Sequence, residues 1–529
     1  MWAQTDEWWR GGVVYHVYVR SFADSNGDGV GDLQGVVDRL DYLQWLGVRG
    51  LWLSPVTASA DRDWGYDVTD YRSIHPALGD LDAFDRLIAE AGRRQMGVLL
   101  DIVPNHTSDQ HPWFVEARSS RSARRRDWYV WADSRGEGRA PNNWLSGFGG
   151  PAWTPDRQTG QWYLHNFLPE QPDLNWWNQE VRDEFEGILR FWLDRGVAGF
   201  RIDVAHGLVK DRALRDNPPA TETDHPTVRR IGQRPVFNMN RPEVHEVWRR
   251  WRLIANEYRP QRLLVGETWV FRLDQLAAYY GGGTDELNLA FNIPFALSDF
   301  DAARLGPIVG ATEAALPADS WPAWFGSNHD VGRFPTRWCA EDESRIRCAL
   351  VVLLTLRGTA FVYYGDEIGM PDVAVPPERL RDPVGIRTPG HPGRDPGRTP
   401  MQWHAGPGAG FTGRETEPWL PLGDAEDCNV EAQEADSRSV LHLARDLIRL
   451  RSSTPLGTGR YRARSRDGGL WVWDRGDGLT VAANLSPHDG EVRAVEQEVL
   501  ITTTREGEGR RVRGSVRVGP WEAVVLGPA

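Results

Sequence analysis

The stretch Asn178–Val204, NQEVRDEFEGILRFWLDRGVAGFRIDV, carries both halves of one structural unit. Asn178 is a good N-cap. Val181, Phe185, Ile188, Leu189, Trp192 and Leu193 follow at helical spacing, so a helix with one apolar face is expected, closed by Gly196. Gly199–Val204 (GFRIDV) then reads as a strand, being short and rich in β-formers. Helices alternating with near-continuous apolar strands indicate parallel strands buried on both faces.

The pattern continues in both directions. Val13–Val19 (VVYHVYV), Gly50–Pro55 (GLWLSP) and Gly97–Val103 (GVLLDIV) precede it. Leu263–Trp269 (LLVGETW), Leu287–Pro294 (LNLAFNIP), Ala323–Asp330 (AWFGSNHD) and Thr359–Glu367 (TAFVYYGDE) follow. Asp80 caps a second amphipathic helix through Leu81, Phe84, Leu87, Ile88 and Ala91. Eight such strands favour an α/β fold of the closed (β/α)8 TIM-barrel kind, although an open sheet could use the same units.

Two regions break the alternation. Residues 105–172 carry Pro, Gly, Trp and the cluster Arg124–Arg126 without clear helix periodicity. They are too long for an ordinary βα loop and read as a lobe inserted after the third strand. From 456 onward short strands alternate with turn signals, as in GLWVWDRGDGLTVAANLS, so an antiparallel C-terminal β-sandwich domain is expected. The expected layout is barrel over 1–104, lobe over 105–172, barrel over 173–455 and β domain over 456–529.

A length of 529 residues exceeds one compact core and requires two or three domains. The net charge of −13 argues against a nucleic-acid partner, which would select a basic face, and a neutral substrate fits best. Lys210 is the only lysine; coding bias explains the arginine excess. Cys339, Cys348 and Cys428 form no C-x-x-C pair, so neither a disulfide framework nor a thiolate metal site is expected. The start, MWAQTDEWWRGG, has no basic or apolar leader pattern, and no run of 18 apolar residues occurs. A cytoplasmic protein without a membrane anchor is expected. The 26 Trp residues could stack on sugar rings, but most are expected in the core.

Asp101, Asp203, Glu267 and Asp330 stand at the ends of four expected strands. In a parallel barrel those ends open on one face, where loops build the site. One such residue could simply pair with an arginine; four on one face point to chemistry. Glycoside cleavage needs two carboxyl groups in different protonation states, flanking one bond. Arg201 lies two residues before Asp203, on the same strand face. His106 and His329 each follow Asn at a strand end and can donate to hydroxyls.

These residues carry a resemblance. Asp101–His106 (DIVPNH), Gly199–Val204 with His206, Gly266–Trp269 (GETW) and Phe325–Asp330 (FGSNHD) match, in order and spacing, the α-amylase family of glycoside hydrolases. Gly65–Tyr71 (GYDVTDY), Gln171–Trp176 (QPDLNW) and Arg398–Trp403 (RTPMQW) resemble its bacterial α-glucosidase and oligo-1,6-glucosidase branch, over essentially the whole chain. The resemblance implies Asp203 as nucleophile, Glu267 as general acid/base and Asp330 as the third carboxylate, with retention of anomeric configuration and a carboxylate separation of about 5–5.5 Å. It leaves Asp101 as a structural member of the same face. By the same carry-over Arg201 would orient Asp203. His106 and His329 would contact sugar hydroxyls, Tyr66 would stack beneath the ring, and Phe167 would line the pocket. Asp67 and Arg398 would pair and grip the non-reducing end.

Asp24, Asn26, Asp28, the Val30 carbonyl and Asp32 follow D-x-N-x-D-G-x-G-D, which resembles the front of an EF-hand loop without its twelfth-position Glu. The branch often carries a structural Ca2+ here; the other reading is an Asx/Gly turn. No organic cofactor is expected.

The aglycone side stays open. Val204 leans towards α-1,6 bonds, whereas Thr268-Trp269 replaces the Met-Pro-Gly typical of oligo-1,6-glucosidases. The context DVAHGLVKD and YGGGTDELNLAFN is similar to α-glucosidases acting on short α-1,4 substrates. The expected function is an exo-acting α-glucosidase on small oligosaccharides, as a monomer or weak homo-oligomer. A transglucosylase or trehalose-forming isomerase on the same residues is the nearest rival. A non-catalytic transporter-subunit relative is a remote one, since such relatives span the membrane and lack the carboxylates.

Overall fold

The computed structural model describes residues 7–388 and 390–529. The first six residues, part of the start in which no leader was read, lie outside the described residues. The chain forms two compact units, one of residues 1–53, 77–98 and 291–529, the other of 54–76 and 99–290.

All eight expected barrel strands form: β1 Val13–Val17, β2 Gly50–Leu53, β3 Gly97–Ile102, β4 Gly199–Ile202, β5 Leu263–Gly266, β6 Leu289–Ala290, β7 Ala323–Phe325 and β8 Thr359–Tyr363. They make one sheet in the order β6-β5-β4-β3-β2-β1-β8-β7. Phe291, just past β6, bridges in parallel to Ala323 of β7, which gives the sheet the closed order of a (β/α)8 barrel. β6 is shorter than expected because Asn292 caps the helix Ile293–Ala296 directly after it.

In the second unit β3, β4 and β5 pair in parallel with Asp101 opposite Arg201 and Gly266 opposite Ile202. Gly199 permits this register: a Cβ there would lie 2.0 Å from the Leu263 carbonyl oxygen. The helix ahead of β4, α2 (Gln179–Asp194), is capped by Asn178, whose side chain accepts from Glu180 N. It buries Val181, Phe185, Ile188, Leu189, Trp192 and Leu193, the apolar face read from the sequence. In the first unit Asp80 likewise caps α1 (Leu81–Arg93) through Ala83 N.

Within 105–172 the strands Trp131–Ala132, Trp153–Asp156 and Gln161–Leu164 form a small sheet over Trp144, Ala152, Trp153 and Leu164. The region also holds a helix, Pro112–Ser119, that periodicity did not reveal. His111 caps it and Pro112 starts it, but only Phe114 and Ala117 are buried, so no apolar stripe marks it.

The C-terminal strands are β9 Tyr461–Asp467, β10 Leu470–Arg475, β11 Leu479–Asn484, β12 Gly490–Thr502, β13 Arg511–Val518 and β14 Ala523–Pro528. They form one antiparallel sheet, β9-β10-β11-β14-β12-β13, rather than two separate ones. β12 is bulged between Ala494 and Gln497 and between Val499 and Ile501. Bulges bend a strand, and the sheet curls over a shared core of Leu470, Val472, Ala482, Val492, Val516 and Leu526. The expected sandwich is thus one continuous sheet.

Candidate active site

The register of β3, β4 and β5 builds the centre of the site. Ile202 pairs with both Ile102 and Gly266, so Asp203 and Glu267 each stand one residue past the same level. Asp203 N donates to the Ile102 carbonyl and Glu267 N to the Ile202 carbonyl, both at 2.9 Å. Residues opposite one another, or two apart along a strand, share a face. Asp101, Arg201, Asp203 and Glu267 therefore converge.

Arg201 joins the three acids. Its Nη1 donates to both oxygens of Asp101 at 2.9 Å and to Asp203 Oδ1 at 2.8 Å. Its Nη2 lies 3.0 Å from Glu267 Oε2; this contact is an ion pair rather than a directed hydrogen bond. Burial opposes the charge on Arg201, but Asp101, Glu267 and Asp203 outweigh it and hold the guanidinium protonated. Burial pushes the Asp101 carboxyl up, against Arg201 and the Tyr66 hydroxyl, which donates to Oδ2 at 3.0 Å. Three carboxyl groups thus meet one cation.

Glu267 has two further donors that the sequence did not disclose. Val204 N donates to Oε2 at 2.9 Å and Trp269 Nε1 to Oε1 at 2.8 Å. Val204 has φ +45°, a rare conformation for a β-branched residue.

His106 is buried, and burial pushes its ring down to about 4, so it is neutral near pH 7. Its Nε2 faces the Tyr66 carbonyl at 2.9 Å, and its Nδ1 faces Asn105 Nδ2 at 3.1 Å. Nδ1 is then the acceptor and Nε2 carries the proton. Lys210 fixes that amide orientation by donating to Asn105 Oδ1 at 2.7 Å while pairing with Asp173 at 2.7 Å. Gln171, quoted in QPDLNW without a role, places Nε2 near Asp63, the Tyr66 carbonyl and His106. The half-buried Phe167 ring sits 5.3 Å from the His106 ring.

Tyr66 and Asp67 follow Gly65, whose φ of +107° turns the chain sharply. Asp67 is fully buried, with Oδ1 accepting from Ser59 Oγ at 2.8 Å and Asp63 N at 3.0 Å. Burial pushes its carboxyl up to about 6.

The first unit brings together His329, Asp330 and Arg398. An Asx turn, Asn328 Oδ1 accepting from Asp330 N at 2.8 Å, presents Asp330 after β7. Arg398 donates from Nε to the His329 carbonyl at 2.8 Å and from Nη2 to Asp330 at 3.3 Å. His329 Nε2 lies 3.1 Å from Asp330. Arg394, which no motif singled out, pairs with Asp330 at 3.0 Å and with Asp382 at 2.6 Å. Burial works against the Asp382 carboxylate, yet Arg394 and Arg398 hold it down at about 2. Asp67 and Arg398, expected to pair, belong to different units, and each has the partners given above within its own.

In the loop Asp24–Asp32, Asp24, Asn26 and Asp28 accept from the backbone N–H groups of Asn26, Asp28 and Val30, a run of Asx turns. Asp32 caps the helix Leu33–Asp38 through Gly35 N and accepts from Ser25 N and Oγ. Among the described residues no three His, Cys, Asp or Glu side chains converge on a metal-sized point.

Residues 16–458 match the α-amylase catalytic domain. The chain belongs to the α-amylase family. It is thereby a glycoside hydrolase. It is 42% identical over 462 residues to a probable α-glucosidase of Rhizobium meliloti, covering 85% of this chain and 83% of the relative. It is 37% identical over 524 residues to an oligo-1,6-glucosidase of Heyndrickxia coagulans, covering 91% and 92%. A crystal structure of an α-glucosyl transfer enzyme of this family superposes with a TM-score of 0.91 at 38% identity, covering 98% of this chain and 99% of the other. No helix among the described residues is long and apolar enough to cross a membrane.

Proposed function

We propose that this α-amylase-family enzyme is a retaining, exo-acting α-glucosidase that releases glucose from the non-reducing end of short α-glucosides, with maltose-type α-1,4 bonds favoured. The observation that carries the reading is the single Arg201 guanidinium touching both Asp203 and Glu267. Two carboxyl groups held by one guanidinium stand together in the site, as the nucleophile and acid/base of a retaining enzyme must.

Asp203 attacks the anomeric carbon while Glu267 gives its proton to the leaving oxygen. Glu267 then takes a proton from water, which attacks the glucosyl-Asp203 ester from the face the leaving group vacated. Two inversions retain the α configuration. Arg201 binds and orients Asp203. Asp330, held by Arg394, Arg398 and His329, supplies the carboxylate that grips sugar hydroxyls in the distorted ring. His106, Tyr66 and Phe167 line the sugar site, and Asp67 grips hydroxyls at its non-reducing end. Val204 and Trp269 set the aglycone side, where the relatives include both an α-glucosidase and an oligo-1,6-glucosidase.

The matching transfer enzyme favours a second reading, in which a sugar hydroxyl replaces water at the ester. A panel of maltose, isomaltose, sucrose, trehalose, nigerose and kojibiose, with products and linkages determined, separates the two. Glucose alone from concentrated maltose, released first as the α-anomer, supports hydrolysis. New disaccharides or trehalose support transfer, and β-glucose refutes retention.

Structural Ca2+ is proposed at Asp24, Asn26, Asp28, the Val30 carbonyl and Asp32, an all-oxygen set that suits a hard cation. The ion would brace the loop and take no part in bond cleavage. A cytoplasmic location, as a monomer or weak homo-oligomer, is also proposed. Its support is three free cysteines, which suit a reducing compartment.

A further inference from the structure

Glu267 meets only donors. Oε2 receives the Val204 N–H at 2.9 Å and lies 3.0 Å from Arg201 Nη2; Oε1 receives the Trp269 indole N–H at 2.8 Å. None of these groups can accept a hydrogen bond, so none can receive the O–H of a protonated carboxyl. Oε2 already faces two donors and Oε1 only one, so the lone pair left open for a proton is on Oε1.

The three donors are not equally fixed. The Val204 N–H belongs to a backbone held at φ +45° just past β4. Arg201 is completely buried and bound to Asp101 and Asp203. Trp269 is half-buried; its ring contacts no other aromatic ring among the described residues, and its only side-chain hydrogen bond goes to Glu267. Oε1 is thus the oxygen left for the catalytic proton, and the indole N–H donates to its other lone pair.

The other charged or titratable groups facing Glu267 do not release it. Asp101 and Asp203 share Arg201 with it. His206, whose Nδ1 lies 3.4 Å from the Glu267 carbonyl, is pushed down to about 4 by burial and adds no charge near pH 7.

We propose that Trp269 is a positioning residue whose indole N–H, donated to Glu267 Oε1, aims the acid/base carboxyl and lowers the cost of its ionised form relative to a site without that donor. This rests on Glu267 being the acid/base.

The test is the pH dependence of kcat/KM for maltose in Trp269→Phe, which keeps an aromatic ring and removes the N–H. The basic limb reports the essential acid of the free enzyme. It should rise by about one pH unit, the size of one hydrogen bond to a charged group. A role in packing alone would lower the rate without moving the limb. If phenylalanine leaves the protein misfolded, 3-benzothienylalanine at position 269 retains the bicyclic ring without the N–H and should give the same shift. An unmoved limb in a folded variant overturns the proposal. Glu267→Ala, given an aryl α-glucoside whose leaving group needs no acid together with azide, and maltose separately, distinguishes the two levels. Loss of maltose cleavage with formation of α-glucosyl azide upholds the acid/base role whatever Trp269 does. Wild-type maltose cleavage by Glu267→Ala would sink that role and this inference together.

Discussion

Asp67→Asn is expected to abolish most activity on maltose while stabilising the protein at neutral pH but not in acid. Asp67 is fully buried; Oδ1 has two donors, Ser59 Oγ and Asp63 N, and Oδ2 has no hydrogen-bond partner among the described residues. Burial therefore dominates and raises the carboxyl from 3.8 to about 6. Between those values the folded protein keeps a proton that the unfolded chain has released. The unfolded state then binds fewer protons, so stability falls as pH rises through about 4 to 6 and stays lowered above it. A shift of about two units corresponds to roughly 3 kcal/mol. Asparagine cannot ionise and escapes this loss. Its own buried N–H has a cost that is the same at every pH, so it cancels when the variant is compared with wild type at two pH values. With an unfolding entropy of about 2.1 cal/mol/K per residue, the difference in Tm between variant and wild type should be about 3 °C more favourable at pH 8 than at pH 4. Calorimetry at the two pH values measures it. A Tm difference that does not change with pH would show that Asp67 is not a strained anion, and the grip assigned to it would lose its physical basis.

Asp203→Ala and Glu267→Gln should each lower kcat on maltose by roughly 100-fold or more, with unchanged circular dichroism; a loss below tenfold would remove the roles given to them. Lys210→Met strands the buried Asp173 carboxylate, so stability should drop by about 3–5 kcal/mol, read as a lower urea midpoint. Adding Asp173→Asn should recover much of that loss, and failure to do so would show that the pair is not the source of the effect. Chelation should lower the Tm more than it lowers kcat at moderate temperature; an unchanged Tm would leave the Asp24 loop an Asx turn without an ion.

How much of this was legible in the chain depends on the range of the interaction. The eight strands were, because each is a local apolar run flanked by helical spacing, and the ends of α1 and α2 were, because Asp80 and Asn178 cap through their own next residues. The C-terminal domain was legible as strands but not as one curled sheet, since the bulges in β12 depend on pairing with β13 and β14. In the site, the acids at strand ends could be named, but their meeting depends on register. That Asp101 lies opposite Arg201, and Ile202 opposite Gly266, follows from how three strands slide against one another, and a one-residue slip would turn Glu267 away.

Val204 shows why motif reading stops one residue short of the chemistry. Read as a side chain, it bears on linkage preference. In the fold its backbone matters more: at φ +45° a β-branched residue is strained by roughly 1–3 kcal/mol, and such strain persists only where the surroundings hold it. What holds it here is visible. The N–H of Val204 is bound to Glu267 Oε2, and its carbonyl accepts from Gly207 N at 2.8 Å. The strained turn thus aims a backbone donor, which no side-chain substitution can remove, at one oxygen of the acid/base. That leaves the other oxygen to be governed by a side chain, Trp269, at a position where the motifs of related enzymes vary.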